Sequence, residues 1–317
     1  GWNAWESTMD FTVSQKEATV SWDDTTLALT YNGVAQKPTA TVSNLEGTDA
    51  CTVTVTVEGE HTNASTTAYT ATATALGNAN YKLPTTPPTT TFTIGKAALT
   101  VTASNKTITY GDEEANAGVT YTGFVNGETS AVLGSTLTYT YPKYVNSTLA
   151  GSYSVGSPVS DENTNYKIAP NGLTSGNYDI TFVDGTLTVA QKEATLSWTN
   201  TELTYNGTAQ KPTAAVSNLV GTDACIVTVE GEQTDASTSA YTATATELSN
   251  ANYKLPTTPT QTFTIGKAAL TVTAAAKSKT YGDTDPALTY TSEGELFGTD
   301  AITGALTRAA GEDVNSY

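Results

Sequence analysis

Apolar and polar positions alternate with a period of two over much of this chain. Cys51, Val53, Val55 and Val57 fall on one side of a stretch whose other side is Thr52, Thr54 and Thr56. The run AYTATATA from Ala68 behaves the same way. Successive side chains of a strand point to opposite faces, so this pattern predicts half-buried β-strands. Asn32-Gly33, Asp184-Gly185 and Asn206-Gly207 sit between such runs. Each is read as a type I′ turn closing a β-hairpin, which needs positive φ at both central residues.

The pattern also repeats at long range. QKEATVSW at Gln15 returns as QKEATLSW at Gln191, NANYKLPTTP occurs at Asn78 and Asn250, and FTIGKAALTVTA is identical at Phe92 and Phe263. These define a unit A in two copies. A different unit, B, opens with AALTVTASNKTITYGD at Ala97 and AALTVTAAAKSKTYGD at Ala268. The predicted organisation is a closing strand of a preceding repeat at 1–14, A1 at 15–96, B1 at 97–190, A2 at 191–267 and B2 at 268–317. B2 stops opposite Tyr153 of B1, so it is read as truncated, with both ends cut from a longer array.

Differences between the A copies separate strands from loops. SWDDTTLALTY shortens by two residues to SWTNTELTY, and CTVTVTVEG by two to CIVTVEG. A slip of one would turn every side chain to the wrong face, so changes in steps of two mark strands. The single-residue difference falls in LPTTPPTTTF against LPTTPTQTF, whose prolines exclude a central strand. Short strands and turns in units of about 80–95 residues match a β-sandwich. The predicted fold is all-β: tandem immunoglobulin-like β-sandwich domains in an elongated array. FTI ends A and ALTVTA begins B, leaving Gly95-Lys96 or Gly266-Lys267 as the whole link.

Composition supports this. Thr is 67 of 317 residues, and its β-branched side chain suits the wet face of a strand. A net charge of −17 repels phosphate backbones, so nucleic acid is not an expected partner. No window reaches the 18 or more apolar residues of a membrane-spanning helix, so no membrane insertion is expected in this segment.

Unit B carries TYGD at Thr109 and Thr280, YTGFVNGET at Tyr121, GSY at Gly151, NYDITFVDGTLTV at Asn177 and GALTRAAGEDVNSY at Gly304. As a set these resemble the MBG and YDG-type repeats of large bacterial surface proteins, which are Ig-like modules in tandem. Unit A resembles other bacterial Ig-like repeats. The resemblance implies secretion and an extracellular, cell-surface location. It brings no catalytic residues and no cofactor with it.

Little chemistry competes with that reading. His61 is the sole histidine, and A2 has Gln233 in its place, so no Ser-His-Asp or Cys-His set exists. Cys51 and Cys225 are equivalent residues of separate units and are expected to be buried free thiols. Asp49, Asp112, Asp223 and Asp283 recur at matching positions. They are candidates for calcium at domain joints, or for capping turns. Trp2 and Trp5 are not repeated and are the candidates for stacking on a sugar. Lys16, Lys37, Lys82 and Lys96 recur as Lys192, Lys211, Lys254 and Lys267; a lysine–asparagine crosslink would need one of them buried beside an acid. LPTTP at Leu83 and Leu255 lacks the final glycine of a wall-sorting signal and is read as a loop.

Three functions follow for testing. One is a non-catalytic stalk that projects an adhesive tip, with neighbouring domains of a longer chain as its partners. Another is a module binding host glycans or surface proteins. The remaining one is an accessory region of a secreted enzyme. Head-to-tail self-association, with the strand at 1–14 filling the open edge of B2 in another molecule, is the further partner reading.

Overall fold

The computed structural model describes residues 8–58, 61–141 and 166–317. Among them there is no α-helix, and no helix long and apolar enough to cross a membrane. The fold is all-β. The chain divides into two compact units. One holds A1 with the described part of B1 up to Thr188, less Ile108–Glu113; the other holds Ile108–Glu113 with Val189–Tyr317.

A1 has strands β1 (Lys16–Glu17), β2 (Val20–Trp22), β3 (Ala28–Thr30), β4 (Ala40–Val42), β5 (Val53–Val57), β6 (Tyr69–Leu76), β7 (Tyr81–Lys82) and β8 (Thr89–Gly95). Its main sheet runs β3-β8-β6-β5, parallel between β3 and β8 and antiparallel elsewhere. β2 pairs antiparallel with β4, and β1 parallel with β7. Trp22 of β2 and Ala40 of β4 close over the buried side chains Val55, Ala71, Phe92 and Ile94 of the main sheet. The alternation of β5 survives a bulge between Thr54 and Val55, with Val55 buried and Thr54 and Thr56 exposed.

B1 continues with β9 (Ala97–Ala103), β10 (Lys106–Thr109), β11 (Val119–Thr122), β12 (Thr138–Thr140), β13 (Lys167–Asn171), β14 (Tyr178–Val183) and β15 (Gly185–Ala190). One sheet runs β11-β9-β14 and the other β10-β15-β13-β12, and β13 lies against β9 and β14. A2 repeats A1 with β16 (Lys192–Glu193), β17 (Leu196–Thr199), β18 (Glu202–Thr204), β19 (Thr213–Val216), β20 (Val227–Glu230), β21 (Tyr241–Leu248), β22 (Tyr253–Lys254) and β23 (Thr260–Gly266). Pairings recur strand for strand, and so does the bulge, now between Thr228 and Val229. B2 shows β24 (Thr271–Ala274) paired with β25 (Tyr290–Glu293).

The expected hairpin turns are not hairpins. β14 and β15 are separated by Asp184 alone yet belong to different sheets. Gly185 is needed there for space: a Cβ would come within 2.8 Å of the carbonyl oxygens of Ala103 and Ser104. Asn32-Gly33 joins β3 and β4, again in different sheets, and only the glycine has positive φ. Asn32 Oδ1 instead accepts from Val34 N at 3.1 Å, and Asn206 Oδ1 from Thr208 N at 3.0 Å, so both asparagines make side-chain-closed turns. Residues 8–14 form no strand; Met9, Phe11 and Val13 are each more than 80 % exposed.

Candidate functional site

The predicted site residues divide by what they touch. Trp2 and Trp5 lie outside the described residues. Asp49 and Asp223 each accept the hydroxyl of a buried tyrosine, Tyr81 at 3.1 Å and Tyr253 at 2.9 Å. Asp112 Oδ2 accepts from Thr109 N at 2.9 Å, and Asp283 Oδ2 from Thr280 N at 3.3 Å, each closing the turn that has its Tyr-Gly pair at the centre. All four carboxylates thus serve local structure, and no three metal-ligating side chains gather among the described residues.

His61 stacks on Tyr69 with centroids 3.8 Å apart, and its carbonyl accepts from Gln36 N. The carbonyl of Gln233 accepts from Gln210 N in the same way. The backbone bond at this position is thus the same in both copies while the side chain differs. Cys51 and Cys225 are half-buried, not enclosed as expected, because they border the rim of a module instead of its centre. Among the recurring lysines, Lys96 Nζ donates to the Ser175 carbonyl and Lys37 Nζ to that of Val55, both at 2.8 Å. Lys211 pairs with Glu232, and Lys16 with Glu46.

The dense side-chain chemistry lies at the joints between modules. Within the first unit only Lys96 separates β8 from β9, and Phe92, Ile94, Leu99, Val101 and Tyr178 form one continuous core across the A1–B1 joint. Tyr31, which follows β3, meets Tyr178 edge-on with centroids 5.4 Å apart. Both hydroxyls donate to Glu128, Tyr31 to Oε1 at 2.5 Å and Tyr178 to Oε2. Asn177 adds a polar clasp, accepting from Ala64 N and donating to Asn63 Oδ1, each at 3.0 Å. Gly33 has φ +79°, and a Cβ there would lie 2.6 Å from that of Asn126. Only glycine lets the two turns approach so closely.

The A2–B2 joint of the second unit uses the same parts. Tyr205 meets Phe297 edge-on at 5.7 Å and donates to Asp300 Oδ2 at 2.9 Å. A Cβ on Gly207 would lie 2.5 Å from that of Phe297. A carboxylate again receives the tyrosine, although Asp300 and Glu128 do not occupy matching positions once Gly123 is set opposite Gly294. Sequence reasoning missed Glu128 for that reason: the second copy has Thr299 in its place.

The reverse joint, from B to A, is a tongue in a socket. Tyr110-Gly111-Asp112 of B1 packs onto A2, with Tyr110 7 % exposed and edge-on to Tyr253 at 5.8 Å. A Cβ on Gly111 would come within 2.7 Å of Val220 Cγ2. Tyr253 OH also accepts from Val220 N at 2.7 Å. The recurrence of Tyr-Gly-Asp was visible in the sequence, but its burial against the next module was not.

These contacts shift the tyrosines. The hydrogen bond to Glu128, followed by burial, pushes the Tyr31 phenol up to about 12; burial, then Asp223, pushes Tyr253 up to about 12. A folded pKa above the unfolded value of about 10 means the neutral phenol is favoured by folding. That stability is present below about pH 10 and is lost as pH rises from about 10 through 12. Glu128→Gln is expected to bring the Tyr31 titration down toward 10, read as the phenolate absorbance difference against a Tyr31→Phe protein. An unchanged midpoint would reject Glu128 as the cause.

The model of the MBG domain (YGX type) matches residues 99–188 and 270–317. Both matched stretches contain the Tyr-Gly pair of a tongue, at Tyr110-Gly111 and Tyr281-Gly282. No curated protein matches the chain. The two A modules lie outside the match. The two matched stretches, each following a β module that the match leaves out, are therefore similar to MBG-type repeats.

Proposed function

We propose that this chain is a non-catalytic stalk or spacer of a bacterial cell-surface adhesin, holding a binding tip away from the cell. MBG domains are a surface-protein repeat family, which is compatible with an extracellular setting. The observation that carries the reading is the continuous core at the A1–B1 joint, tied by the two tyrosines on Glu128. A linker of one residue with a shared core restricts the freedom that a Gly/Ser coil would give.

Deleting one A–B pair from the whole surface protein tests this. The expected result is weaker attachment of cells to a ligand-coated surface, with binding of soluble ligand to the tip unchanged. Binding of glycans or host proteins by the isolated 317-residue chain would overturn the spacer reading in favour of a binding module. Turnover of a substrate by it would overturn the absence of catalysis.

A further inference from the structure

We infer that B1 bears tensile load, with the parallel ladder between β9 and β14 acting as a shear clamp; the inference rests on the spacer reading for its purpose and on strand topology for its content. B1 has a module on either side of it within this chain, so load reaches it from both ends. The chain enters B1 at Ala97, the first residue of β9. It leaves through β15, which extends β14: Asp184, the single residue between them, is in neither a turn nor a bend. β9 and β14 run parallel over six registered pairs, from Ala97 with Tyr178 to Thr102 with Val183. Entry and exit therefore lie at opposite ends of one ladder. Pulling them apart slides β9 along β14, and the evenly spaced hydrogen bonds of a parallel pair are then strained together.

Both ends of the clamp are pinned. At the entry, Ala97 N donates to the Asn177 carbonyl at 2.9 Å and Lys96 Nζ to that of Ser175 at 2.8 Å, while Glu128 holds the Tyr178 hydroxyl. At the exit, Thr186 N donates to Asn105 Oδ1 at 2.8 Å, and Gly185 sits against the Ala103 and Ser104 carbonyls. Between them Ala97, Leu99, Val101 and Ala103 are buried on one face of β9. A slip of one residue would turn that face outward, so packing opposes sliding as the hydrogen bonds do.

The A modules have no parallel ladder of this length among the described residues. In A2 the last strand, β23, is parallel to β18 over three pairs, from Glu202 with Thr264 to Thr204 with Gly266. A1 has three between β3 and β8. In A2 the chain reaches β18 only after β16, which is two residues long, and β17, which is antiparallel to β19. Under a common load the A modules therefore give way first and B1 holds.

Force spectroscopy on the full chain tests direction as well as strength. In a Cys51→Ser, Cys225→Ser background, Ala98→Cys with Thr188→Cys places handles lengthwise, near the two ends of the clamp. Thr120→Cys with Val183→Cys places them crosswise, since Thr120 and Val183 pair with Thr102 from opposite sides. All four replaced side chains are exposed, so folding is retained. Crosswise handles open the ladders one rung at a time. At the same constant force, and each relative to its own rate without load, unfolding is expected to be about tenfold or more slower with the lengthwise handles, because forced unfolding is governed by the unfolding rate along the pulled direction. A ladder that only stabilises the fold would give equal rates. Stretched end to end, the chain should release both A modules before B1, whose greater length gives the longer step. Equal rates in the two directions, or release of B1 before either A module, would overturn the clamp and leave the cell-attachment test of the spacer untouched.

Discussion

Replacing Tyr178 with alanine is expected to cost the first unit about 3–5 kcal/mol, the range for removing a large aromatic side chain from a core. Tyr178 is 1 % exposed and is the largest fully buried side chain among the described residues. Its ring meets those of Tyr31 and Phe124 edge-on, each at 5.4 Å, and such pairs add about 0.5–1.5 kcal/mol beyond the area buried. Its hydroxyl donates to Glu128 and accepts from Val125 N at 3.1 Å. Tyr178→Phe separates the two contributions. It keeps the rings and loses the hydroxyl, for an expected cost of about 1–2 kcal/mol, because Glu128 retains Tyr31 while Val125 N loses its acceptor. Hydrogen exchange of β9 and β14 under mild denaturant reads both. A cost below about 1 kcal/mol for the alanine variant would mean that the A1–B1 joint is not held by this side chain.

The joint shows what local sequence can and cannot say. Strands were legible because burial of one face forces alternation, as Val53, Val55 and Val57 show against Thr54 and Thr56. Register was legible too: the two-residue deletions between A1 and A2 leave the strand partners and their register in place and remove only the Val57–Ala71 pair at the end of β5. Connections were not. Asp184-Gly185 has the residues of a hairpin turn, yet which sheet receives β15 is decided by β13, which precedes it in the chain by more than a dozen residues. The glycine is set by the approach of Ala103 and Ser104, a demand made by backbone distant in sequence.

The acids were read in the same partial way. Recurrence singled out Asp49, Asp112, Asp223 and Asp283 as candidates for calcium or for capping turns, but a carboxylate that accepts a tyrosine hydroxyl or a backbone amide recurs as faithfully as one that binds a cation. Glu128 escaped because comparing the two B modules leaves it opposite a threonine. What it does becomes visible only where Tyr31 and Tyr178 converge on it.

The sharpest separation of local from tertiary effects lies in the dodecapeptide that occurs twice without change. Leu99 and Leu270 are the same residue of that segment, yet Leu99 is 1 % exposed and Leu270 is 38 % exposed. The cause is pairing. β9 is held between β11 and β14 and runs for seven residues, whereas β24 runs for four residues beside β25, with every one of them exposed. Leu99→Ala is therefore expected to cost about 2–5 kcal/mol, as a buried leucine does when it leaves a cavity. Leu270→Ala should stay within about 1 kcal/mol, since half-open sites lose little transfer energy and leave no cavity. Intrinsic strand propensity is identical in the two segments, so it contributes nothing to the difference. Urea unfolding of the two variants, followed by circular dichroism and by exchange in the strands flanking each site, gives the comparison. Equal costs would show that the segment's stability is set by its own residues, and the burial of β9 beneath β13 and beside β14 would then explain nothing about why the segment is kept.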